Sequence, residues 1–325
     1  MTWLLTGGAG YIGAHVLRSL RSHGHEVVVL DDLSTGVASK VPQDVPLVTA
    51  SVMDSEAVHR ALVEHRVTGV IHLAAKKAVE ESVQRPLWYF EENVEGFRRL
   101  LTSMRRAEVG QLVLSSTAAV YGMPDVDLVI EDTPLEPINP YGYTKVACEW
   151  MARAMAGSDG LRTVFLRYFN VAGAGGADLG DPTVANLVPL VLRALVAGEQ
   201  PVIFGDDYPT ADGTCIRDYI HVQDLAEAHV AAAAALDTAS APGVYNVSRG
   251  VGSSVREVME VAGEVTGLPV RPRVGPRRAG DPARLVGSAD AMAAELGWRA
   301  RFDLRDMIAS AWDATTERQQ RRQPG

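Results

Sequence analysis

The stretch TGGAGYIGAH (residues 6–15) decides the fold of this chain. Its glycines at positions 7, 10 and 13 follow the apolar run WLL (3–5) and open a helical pattern over 12–23. A glycine turn between a strand and a helix lets backbone N–H groups approach a pyrophosphate and lets the helix pack closely on the strand. The spacing therefore predicts a dinucleotide-binding turn, and an ordinary glycine turn with a capping aspartate is the alternative.

A carboxylate stands where such a turn would need one. Asp31 ends the second apolar run, 21 residues after Gly10. An acidic side chain at this distance is typical of a residue that binds the adenine ribose. No arginine lies beside it, and the carboxylate would repel an extra phosphate, so we expect NAD and not NADP.

Short apolar runs alternate with amphipathic stretches along the first half of the chain. The runs that read as strands are 3–5, 26–30, 46–50, 69–74, 111–116 and 163–168, and the helical patterns include 12–23, 56–64, 89–106 and 143–156. This alternation predicts an α/β fold with a Rossmann-type doubly wound parallel sheet. We expect an NAD-binding domain over 1–170, to which 218–236 returns.

The composition of the sequence changes after about residue 171. A glycine-rich loop is followed by a helical pattern at 186–197 and a short apolar run at 201–204. We expect residues 171–217 and 237–325 to form a smaller mixed α/β substrate domain at the carboxyl ends of the strands, where open α/β sheets bind ligands.

Composition excludes several classes of protein. The 325 residues carry a net charge of −9 with 47% hydrophobic and 22% charged residues, so there is no basic footprint for a nucleic acid. The start of the chain lacks a basic segment and a long apolar stretch, which argues against a signal peptide or a membrane partner. Cys148 and Cys215 lack metal-ligand spacing. We expect a cytoplasmic protein with reduced thiols and no metal.

The stretch NPYGYTK (139–145) offers a candidate base. Tyr141 and Lys145 are four residues apart and share a helix face, whereas Tyr143 does not. A neighbouring ammonium lowers the pKa of a phenol from about 10 towards neutrality. Thr117 ends the strand at 111–116 and can place a hydroxyl beside the phenol. The alternatives are a surface Tyr/Lys pair and a capping threonine.

With these motifs in place, nearly the whole chain resembles the UDP-glucose 4-epimerases, a family of the extended short-chain dehydrogenase/reductase superfamily. The stretches that carry the resemblance are GGAGYIGAH (7–15), VIHLAAKKAVEESVQRP (70–86), SSTAAVYG (115–122), NPYGYTK (139–145), LRYFNVAGA (166–174), FGDDYPTADGTCIRDYIHVQDLAEAHV (204–230) and PRRAGDPA (276–283).

The resemblance implies a set of positions that hold NAD: Gly7, Gly10, Tyr11, Ile12, Gly13, Asp31, Ser51, Val52, Leu73, Ala74, Ala75, Lys77, Asn93, Ser115, Tyr141, Lys145 and Phe169. It implies that Tyr141 is the catalytic base, that Lys145 holds the nicotinamide ribose, and that Thr117 is the hydroxyl partner of the base.

The resemblance also implies a UDP-sugar site. Its positions are Thr117, Tyr141, Asn170, Asn186, Leu187, Val202, Phe204, Arg217, Arg278 and Asp281, with the two arginines on the phosphates. Arginine suits a diphosphate in a protein of negative net charge, although without the resemblance either would pass for a surface residue. The expected activity is the interconversion of UDP-glucose and UDP-galactose through transient oxidation at C4, with hydride returned to the opposite face.

Three positions depart from the family pattern. Thr117 replaces a serine but keeps the hydroxyl, and Ser51 replaces an aspartate that bonds the adenine amino group. Leu285 stands where bulky aromatic residues accompany glucose and galactose, and small residues accompany N-acetylhexosamines as well. Leucine is intermediate between these, so the range of sugars stays open.

Other activities remain as alternatives. Related dehydratases and decarboxylases carry carboxyl residues directly after the hydroxyl residue, where this chain has Ala118 and Ala119. A 4-epimerase of UDP-N-acetylglucosamine or UDP-glucuronate, and a non-catalytic NAD-binding protein, are the remaining alternatives. From the resemblance we also expect a homodimer that pairs the helices at 89–106 and 143–156.

Overall fold

The computed structural model describes residues 1–183, 186–237, 243–278 and 280–322, with side chains described up to residue 317. The strands are β1 Thr2–Thr6, β2 Glu26–Asp31, β3 Leu47–Thr49, β4 Gly69–His72, β5 Gln111–Thr117, β6 Arg162–Tyr168, β7 Asn170–Ala172, β8 Val202–Phe204, β9 Ile216–His221, β10 Val244–Val247, β11 Gly252–Ser254, β12 Arg273–Gly275 and β13 Arg284–Leu285.

The α-helices are α1 Tyr11–Ser22, α2 Ser55–Glu64, α3 Val79–Gln84, α4 Pro86–Tyr89, α5 Gly96–Arg106, α6 Pro140–Asp159, α7 Leu187–Val196, α8 Val222–Asp237, α9 Val255–Thr266, α10 Asp290–Leu296 and α11 Leu304–Arg322. A π-helical turn, Phe90–Glu95, joins α4 to α5, and a 3₁₀ turn, Ala118–Tyr121, follows β5.

A seven-stranded sheet forms the centre of the molecule, in the order β10-β6-β5-β4-β1-β2-β3. All of its pairings are parallel. Its strands are apolar because both faces are covered: one core contains α1 and α8, and the other contains α2 and α5. The predicted Rossmann-type doubly wound sheet is confirmed, and so are the six predicted strands.

The second region consists of short strands and helices. Strand β9 pairs with β7, β11 and β13, and β8 pairs with β12 in a separate two-stranded sheet. Helices α7, α9 and α11 pack around a third apolar core beside these strands. This arrangement gives the mixed α/β character that the sequence predicts for this part of the chain.

One segment lies on the other side of the predicted domain division. Strand β10 (Val244–Val247), which the sequence analysis placed in the substrate domain, pairs with β6 at the edge of the main sheet. Its apolar residues Tyr245 and Val247 are buried in the core of α1 and α8. The division at residues 170 and 237 remains a prediction, with this strand on the NAD-binding side.

Both cysteines, Cys148 and Cys215, are buried and free. Across the described residues, no helix combines the length and the apolar character needed to span a membrane.

Candidate active site

The glycine turn is shaped by close backbone contacts. Gly7 has φ of +73°, and a Cβ there would lie 2.8 Å from the backbone nitrogen of Ala74. A Cβ on Gly13 would lie 2.1 Å from the carbonyl oxygen of Gly7. Gly10 begins α1 as an N-cap without a side-chain hydrogen bond. The first turn of α1 therefore keeps backbone N–H groups that can bind an anion.

Asp31 lies at the end of β2, next to this turn. Its two carboxylate oxygens accept hydrogen bonds from the backbone of Ala9 at 3.0 Å and of Leu33 at 2.9 Å. Burial raises the pKa of the carboxyl group, and these two N–H donors oppose the rise. Each oxygen keeps a second acceptor position, so the anchored carboxylate can also accept from a ribose hydroxyl.

The segment after β4 borders the same turn. The backbone of Leu73 and Ala74 lies directly against Gly7. Asn93, in the π-helical turn, accepts from the backbone N–H of Lys76 at 2.8 Å and donates to the carbonyl of Lys76 at 2.9 Å and to Thr144 at 3.0 Å. Both amide hydrogens of Asn93 are thus used within the protein, which fixes this segment against α6.

Helix α6 presents the candidate base to the end of β5. Asn139 caps the helix by accepting from the backbone of Gly142 at 2.9 Å, and Pro140 occupies its first turn. Tyr141 is 8% exposed and Tyr143 is 51% exposed. The spacing argument that selected Tyr141 over Tyr143 agrees with this burial.

Thr117 lies against the phenol and also caps the next turn. Its hydroxyl is near enough to the Tyr141 phenol to oppose the rise of the Tyr141 pKa, and it accepts from the backbone N–H of Ala119 at 3.1 Å. The capping role that the sequence left as an alternative is thus present together with the contact to Tyr141. A Cβ on Gly142 would lie 2.7 Å from the carbonyl of Ala119, so α6 begins directly against this turn.

Lys145 is buried one helical turn after Tyr141. Its Nζ donates to the carbonyl oxygen of Ser115 at 2.9 Å. Burial lowers the pKa of Lys145, and the nearby Cys148 and Glu149 oppose that effect. Ser115 is fully buried, and its hydroxyl lies 2.8 Å from Nε2 of His229.

The pKa of Tyr141 corrects one expectation. Burial raises it to about 12, and the hydrogen bond with Thr117 offsets this only in part. The prediction that the pKa of Tyr141 lies below that of a free phenol is therefore wrong for the protein alone. Desolvation of the phenolate outweighs the contacts that stabilise it.

Three of the predicted nucleotide positions lie together in the second region. Val202 and Phe204 are alternate residues of β8 and share one face, while Ile203 between them is buried. The guanidinium of Arg278 lies 3.9 Å from the centre of the Phe204 ring. An aromatic face and a cation thus lie together on the outside of β8.

Arg217 and Asp281 form the neighbouring part of this cluster. Nη1 of Arg217 donates to the carbonyls of Ile216 at 2.9 Å and Pro282 at 2.7 Å, and its Nη2 lies 3.4 Å from the carboxylate of Asp281. The side chain of Arg217 is 12% exposed and is held in place by these contacts.

Phe169 packs between the two regions. A Cβ on Gly287 would lie 2.3 Å from the Phe169 ring. Phe169 shares a core with Ala118 and Val146, and Leu285 packs against the same core. Leu285 pairs in register with Arg217, so the predicted specificity position lies next to the phosphate-binding candidate.

The remaining predicted positions range from buried to exposed. Ile12 packs on the core below the turn, Ala75 is half-buried, and Lys77 is exposed. Val52 is buried and the hydroxyl of Ser51 accepts from the backbone of Met53 at 3.1 Å. Asn170 is exposed in β7, and Asn186 and Leu187 stand at the start of α7.

The sequence analysis did not identify the contacts that join the turn to the second region. The hydroxyl of Tyr11 donates to the carbonyl of Gly173 at 2.6 Å, and Nε2 of His15 accepts from the backbone of Gly175 at 2.8 Å. Nζ of Lys40 donates to the carbonyl of Gly180 at 3.0 Å. These partners are loop backbone groups, so the residue pattern carries no signal for them.

The residues present fit a dinucleotide. The turn has no room for side chains at positions 7 and 13, the helix start offers free N–H groups, and Asp31 offers acceptor positions. No group of three or more His, Cys, Asp or Glu side chains that could hold a metal ion occurs among the described residues. The fold and the site therefore define a dinucleotide-dependent enzyme with a buried tyrosine–lysine pair.

Comparison with known proteins agrees with this class. Residues 3–248 match the NAD dependent epimerase/dehydratase family. The UDP-glucose 4-epimerase of Corynebacterium glutamicum is 44% identical over 320 residues, which cover 97% of this chain and 96% of that protein. The chain belongs to the NAD dependent epimerase/dehydratase family, and NAD, predicted from Asp31, is confirmed as the cofactor of the family.

Two solved structures extend the comparison. A UDP-glucose-4-epimerase from Stenotrophomonas maltophila, with bound NAD and formylated UDP-arabinopyranose, has a TM-score of 0.95 and 39% identity, covering 99% of each chain. The UDP-Glc/GlcNAc 4-epimerase of Campylobacter jejuni has a TM-score of 0.85 and 36% identity, covering 97% of this chain and 99% of that one. These matches confirm the resemblance to UDP-glucose 4-epimerases.

Proposed function

We propose that this enzyme interconverts UDP-glucose and UDP-galactose by inverting C4 of the sugar. The observation that carries the proposal is the meeting of Tyr141, Thr117 and Lys145 at the end of β5. Directly after Thr117 come Ala118 and Ala119, which cannot transfer protons. The site therefore has one proton-transferring phenol and lacks, at these positions, the extra carboxyl groups that a dehydration would use.

NAD would be held by the turn at 7–13, by Asp31 and by Lys145. When bound, it supplies a hydride acceptor for C4 and a positive charge that lowers the pKa of a nearby phenol. Lys145 is buried with its ammonium fixed on the Ser115 carbonyl, so it can meet a ribose hydroxyl without first ordering its side chain.

Tyr141 would hold and return the proton of the sugar O4. Its ionised form, the phenolate, takes this proton as C4 is oxidised, and the phenol so formed gives the proton back to O4 as C4 is reduced on the opposite face, so the enzyme ends each turnover unchanged. Thr117, whose hydroxyl lies beside the phenol, would orient the O4 hydroxyl. Burial of Tyr141 excludes water, which protects a 4-keto sugar between the two half-reactions.

The nucleotide would lie across the second region. Arg278 and Arg217 would bind the diphosphate, because guanidinium groups form charge-assisted hydrogen bonds with phosphate oxygens. Val202 and Phe204 would flank the uracil, and Asp281 would accept from the ribose. Asn170, Asn186 and Leu187 would contact the diphosphate and the sugar, with the start of α7 adding free backbone N–H groups.

The test is turnover of purified protein with UDP-galactose, with the UDP-glucose formed measured afterwards in quenched samples by a dehydrogenase. We expect product to accumulate to an equilibrium mixture without added reductant. If NAD is present in the protein and no UDP-glucose forms, the proposed function is wrong.

A second candidate is 4-epimerisation of N-acetylated UDP-sugars. Leu285, beside Phe169, is neither bulky and aromatic nor small, and one structural neighbour is a UDP-Glc/GlcNAc 4-epimerase. Turnover of UDP-galactose, UDP-N-acetylgalactosamine and UDP-galacturonate under the same conditions separates the candidates. A larger kcat/KM for either of the last two would replace glucose and galactose as the main substrates.

We also infer that the enzyme is a homodimer. Helices α3 and α4 and the π-helical turn pack against α6, and these elements expose apolar side chains: Val83, Leu87, Phe90, Tyr143 and Trp150. Leu87 is 84% exposed and Trp150 is 63% exposed, which is costly for a face in contact with water. Light scattering at micromolar concentration should give twice the 34.8 kDa chain mass. A single-chain mass would contradict the inference.

A further inference from the structure

Three consecutive residues at the end of β5 each contact one residue of α6. The Ser115 carbonyl accepts from Lys145, and the Thr117 hydroxyl lies beside the Tyr141 phenol. Between them, the Ser116 hydroxyl donates to Oε1 of Glu149 at 2.6 Å. Tyr141, Lys145 and Glu149 follow one another at four-residue intervals and are all buried, so they form one stripe on α6.

Glu149 is held on its other side by a buried arginine. Nε of Arg167 donates to Oε1 at 3.0 Å, and its Nη2 donates to Oε2 at 2.7 Å. Glu149 is 0% exposed and Arg167 is 2% exposed. Arg167 lies on β6, in register with Ser116. The carboxylate is therefore fixed by the same pair of strands that carries the candidate active site.

The network continues beyond Arg167. Nη1 of Arg167 donates to the hydroxyl of Tyr121 at 3.0 Å and to the carbonyl of Glu131 at 3.0 Å. Tyr121 in turn donates to Oδ1 of Asn246 on β10 at 2.7 Å. The guanidinium is thus bound on three sides and cannot move without breaking bonds to several elements.

We propose that the buried Glu149–Arg167 pair is a positioning pair, which holds α6 at the level on β5 where the Tyr141 phenol meets Thr117. The inference rests on the proposed roles of Tyr141, Lys145 and Thr117. Neither Glu149 nor Arg167 touches the expected position of the substrate.

Stability alone is a poor reason for such a pair. A buried ion pair can often be replaced by well-packed apolar residues with little loss of stability, or with a gain. Position matters more for catalysis, because displacement of a reacting group by about 1 Å can reduce the rate about 100-fold. Glu149 also opposes the lowering of the Lys145 pKa that burial causes. Cys148 on α6 acts on the Lys145 pKa in the same direction as Glu149, and Lys145 in turn lowers the pKa of His72 on β4.

The test combines Glu149→Met with Arg167→Met, so that no charge is left buried without its partner. In the full-length enzyme with bound NAD, kcat for UDP-galactose should fall about 10- to 100-fold, while KM stays within about threefold. Hydrogen–deuterium exchange of the α6 amides from residue 141 to 149 should become faster. Wild-type kcat together with unchanged exchange would overturn the proposal.

Two controls separate positioning from general destabilisation. Ser116→Ala removes the 2.6 Å contact with Glu149 and leaves the ion pair, so it applies even where the double variant fails to fold. It should lower kcat less, about three- to tenfold, and also speed exchange in α6. Asp224→Asn alters a buried carboxylate that accepts from the backbone of Arg301 and Phe302, away from the site. Its kcat and α6 exchange should stay at the wild-type level.

The outcomes also separate this inference from the proposed function. A wild-type enzyme without 4-epimerase activity would remove the proposed function, and the exchange measurement would still decide whether the pair holds α6. An active wild type, with a double variant of equal kcat and unchanged α6 exchange, would remove only the positioning role.

Discussion

The turn at residues 7–13 is shaped by contacts between backbone atoms, whereas the cluster around Phe204, Arg217 and Arg278 consists of side chains that hold one another. In the turn, Gly7 and Gly13 have no space for a Cβ. In the cluster, Arg278 lies over Phe204 and Arg217 is bound to carbonyl oxygens and Asp281. Substitutions in the turn should therefore either abolish NAD binding or leave it unchanged. Substitutions in the cluster should weaken UDP-sugar binding by intermediate amounts.

The largest effect is expected for the candidate catalytic base, Tyr141. Tyr141→Phe removes the phenolic hydroxyl but keeps the ring, so NAD should stay bound while kcat falls about 1,000-fold. Tyr143→Phe is the matched control, because that ring is exposed two residues away, and its kcat should equal the wild-type value. Full activity of Tyr141→Phe would refute the assignment of the base.

The next effect tests the backbone-built turn. Gly13→Ala would place a Cβ 2.1 Å from the Gly7 carbonyl, so we expect a loss of about 3 kcal/mol of unfolding free energy and loss of bound NAD. Gly157→Ala, also in a helix, meets nothing within 4 Å and should be neutral or stabilising by up to about 1 kcal/mol. Chemical denaturation and the NAD content of the purified protein measure both. Equal unfolding free energies and equal NAD contents in the two variants would contradict the proposed difference between the turn and the side-chain cluster.

A graded loss is expected in the side-chain cluster. Arg278→Met keeps much of the packing on Phe204 but removes the charge, so KM for UDP-galactose should rise about 10- to 50-fold with NAD still bound. Arg277→Met is the neighbouring control, because Arg277 pairs with the exposed Asp207 and should change KM less than about twofold. A similar KM increase in both variants would place the diphosphate elsewhere.

The smallest effect concerns the pH dependence of stability, through a buried histidine on β4. Burial lowers the pKa of His72 on β4 to about 3, and Lys145 adds to this shift. Since the folded pKa lies below the unfolded value of about 6.5, the unfolded state gains a proton that the folded state does not, and stability falls as the pH drops below about 6.5.

The variant His72→Asn tests this linkage, because an amide can keep the hydrogen bond with Thr6 and does not titrate. Between pH 6.5 and pH 5.5 it should lose about 1 kcal/mol less unfolding free energy than the wild type. Urea denaturation at the two pH values gives the comparison, and parallel losses in both proteins would rule out His72 as the titrating group.

The sequence predicted the first region well because its constraints are local. Glycine spacing, the apolar runs and the four-residue spacing of Tyr141 and Lys145 each follow from the geometry of one turn, strand or helix. Strand β10 lies on the other side of the predicted domain division because its partner β6 is far away in the chain, and a four-residue segment does not indicate which strand it pairs with.

The second region could be predicted only from resemblance. Its strands have two to six residues, and Arg217, Arg278 and Asp281 meet through tertiary packing that residue spacing does not encode. The raised pKa of Tyr141 was missed for a related reason, because burial depends on the whole site and not on the neighbouring lysine alone. Glu149 did carry a signal, since it extends the four-residue spacing of Tyr141 and Lys145 by one more step.

The central claim is that the hydrogen at C4 leaves the sugar and returns to the same carbon within one pocket that excludes water. The most direct measurement is the conversion of UDP-galactose carrying deuterium at C4, in ordinary water, with NMR analysis of the UDP-glucose formed. We predict that the product keeps deuterium at C4 and has the inverted configuration there. Product with protium at C4, or no UDP-glucose from protein that contains NAD, would contradict the account.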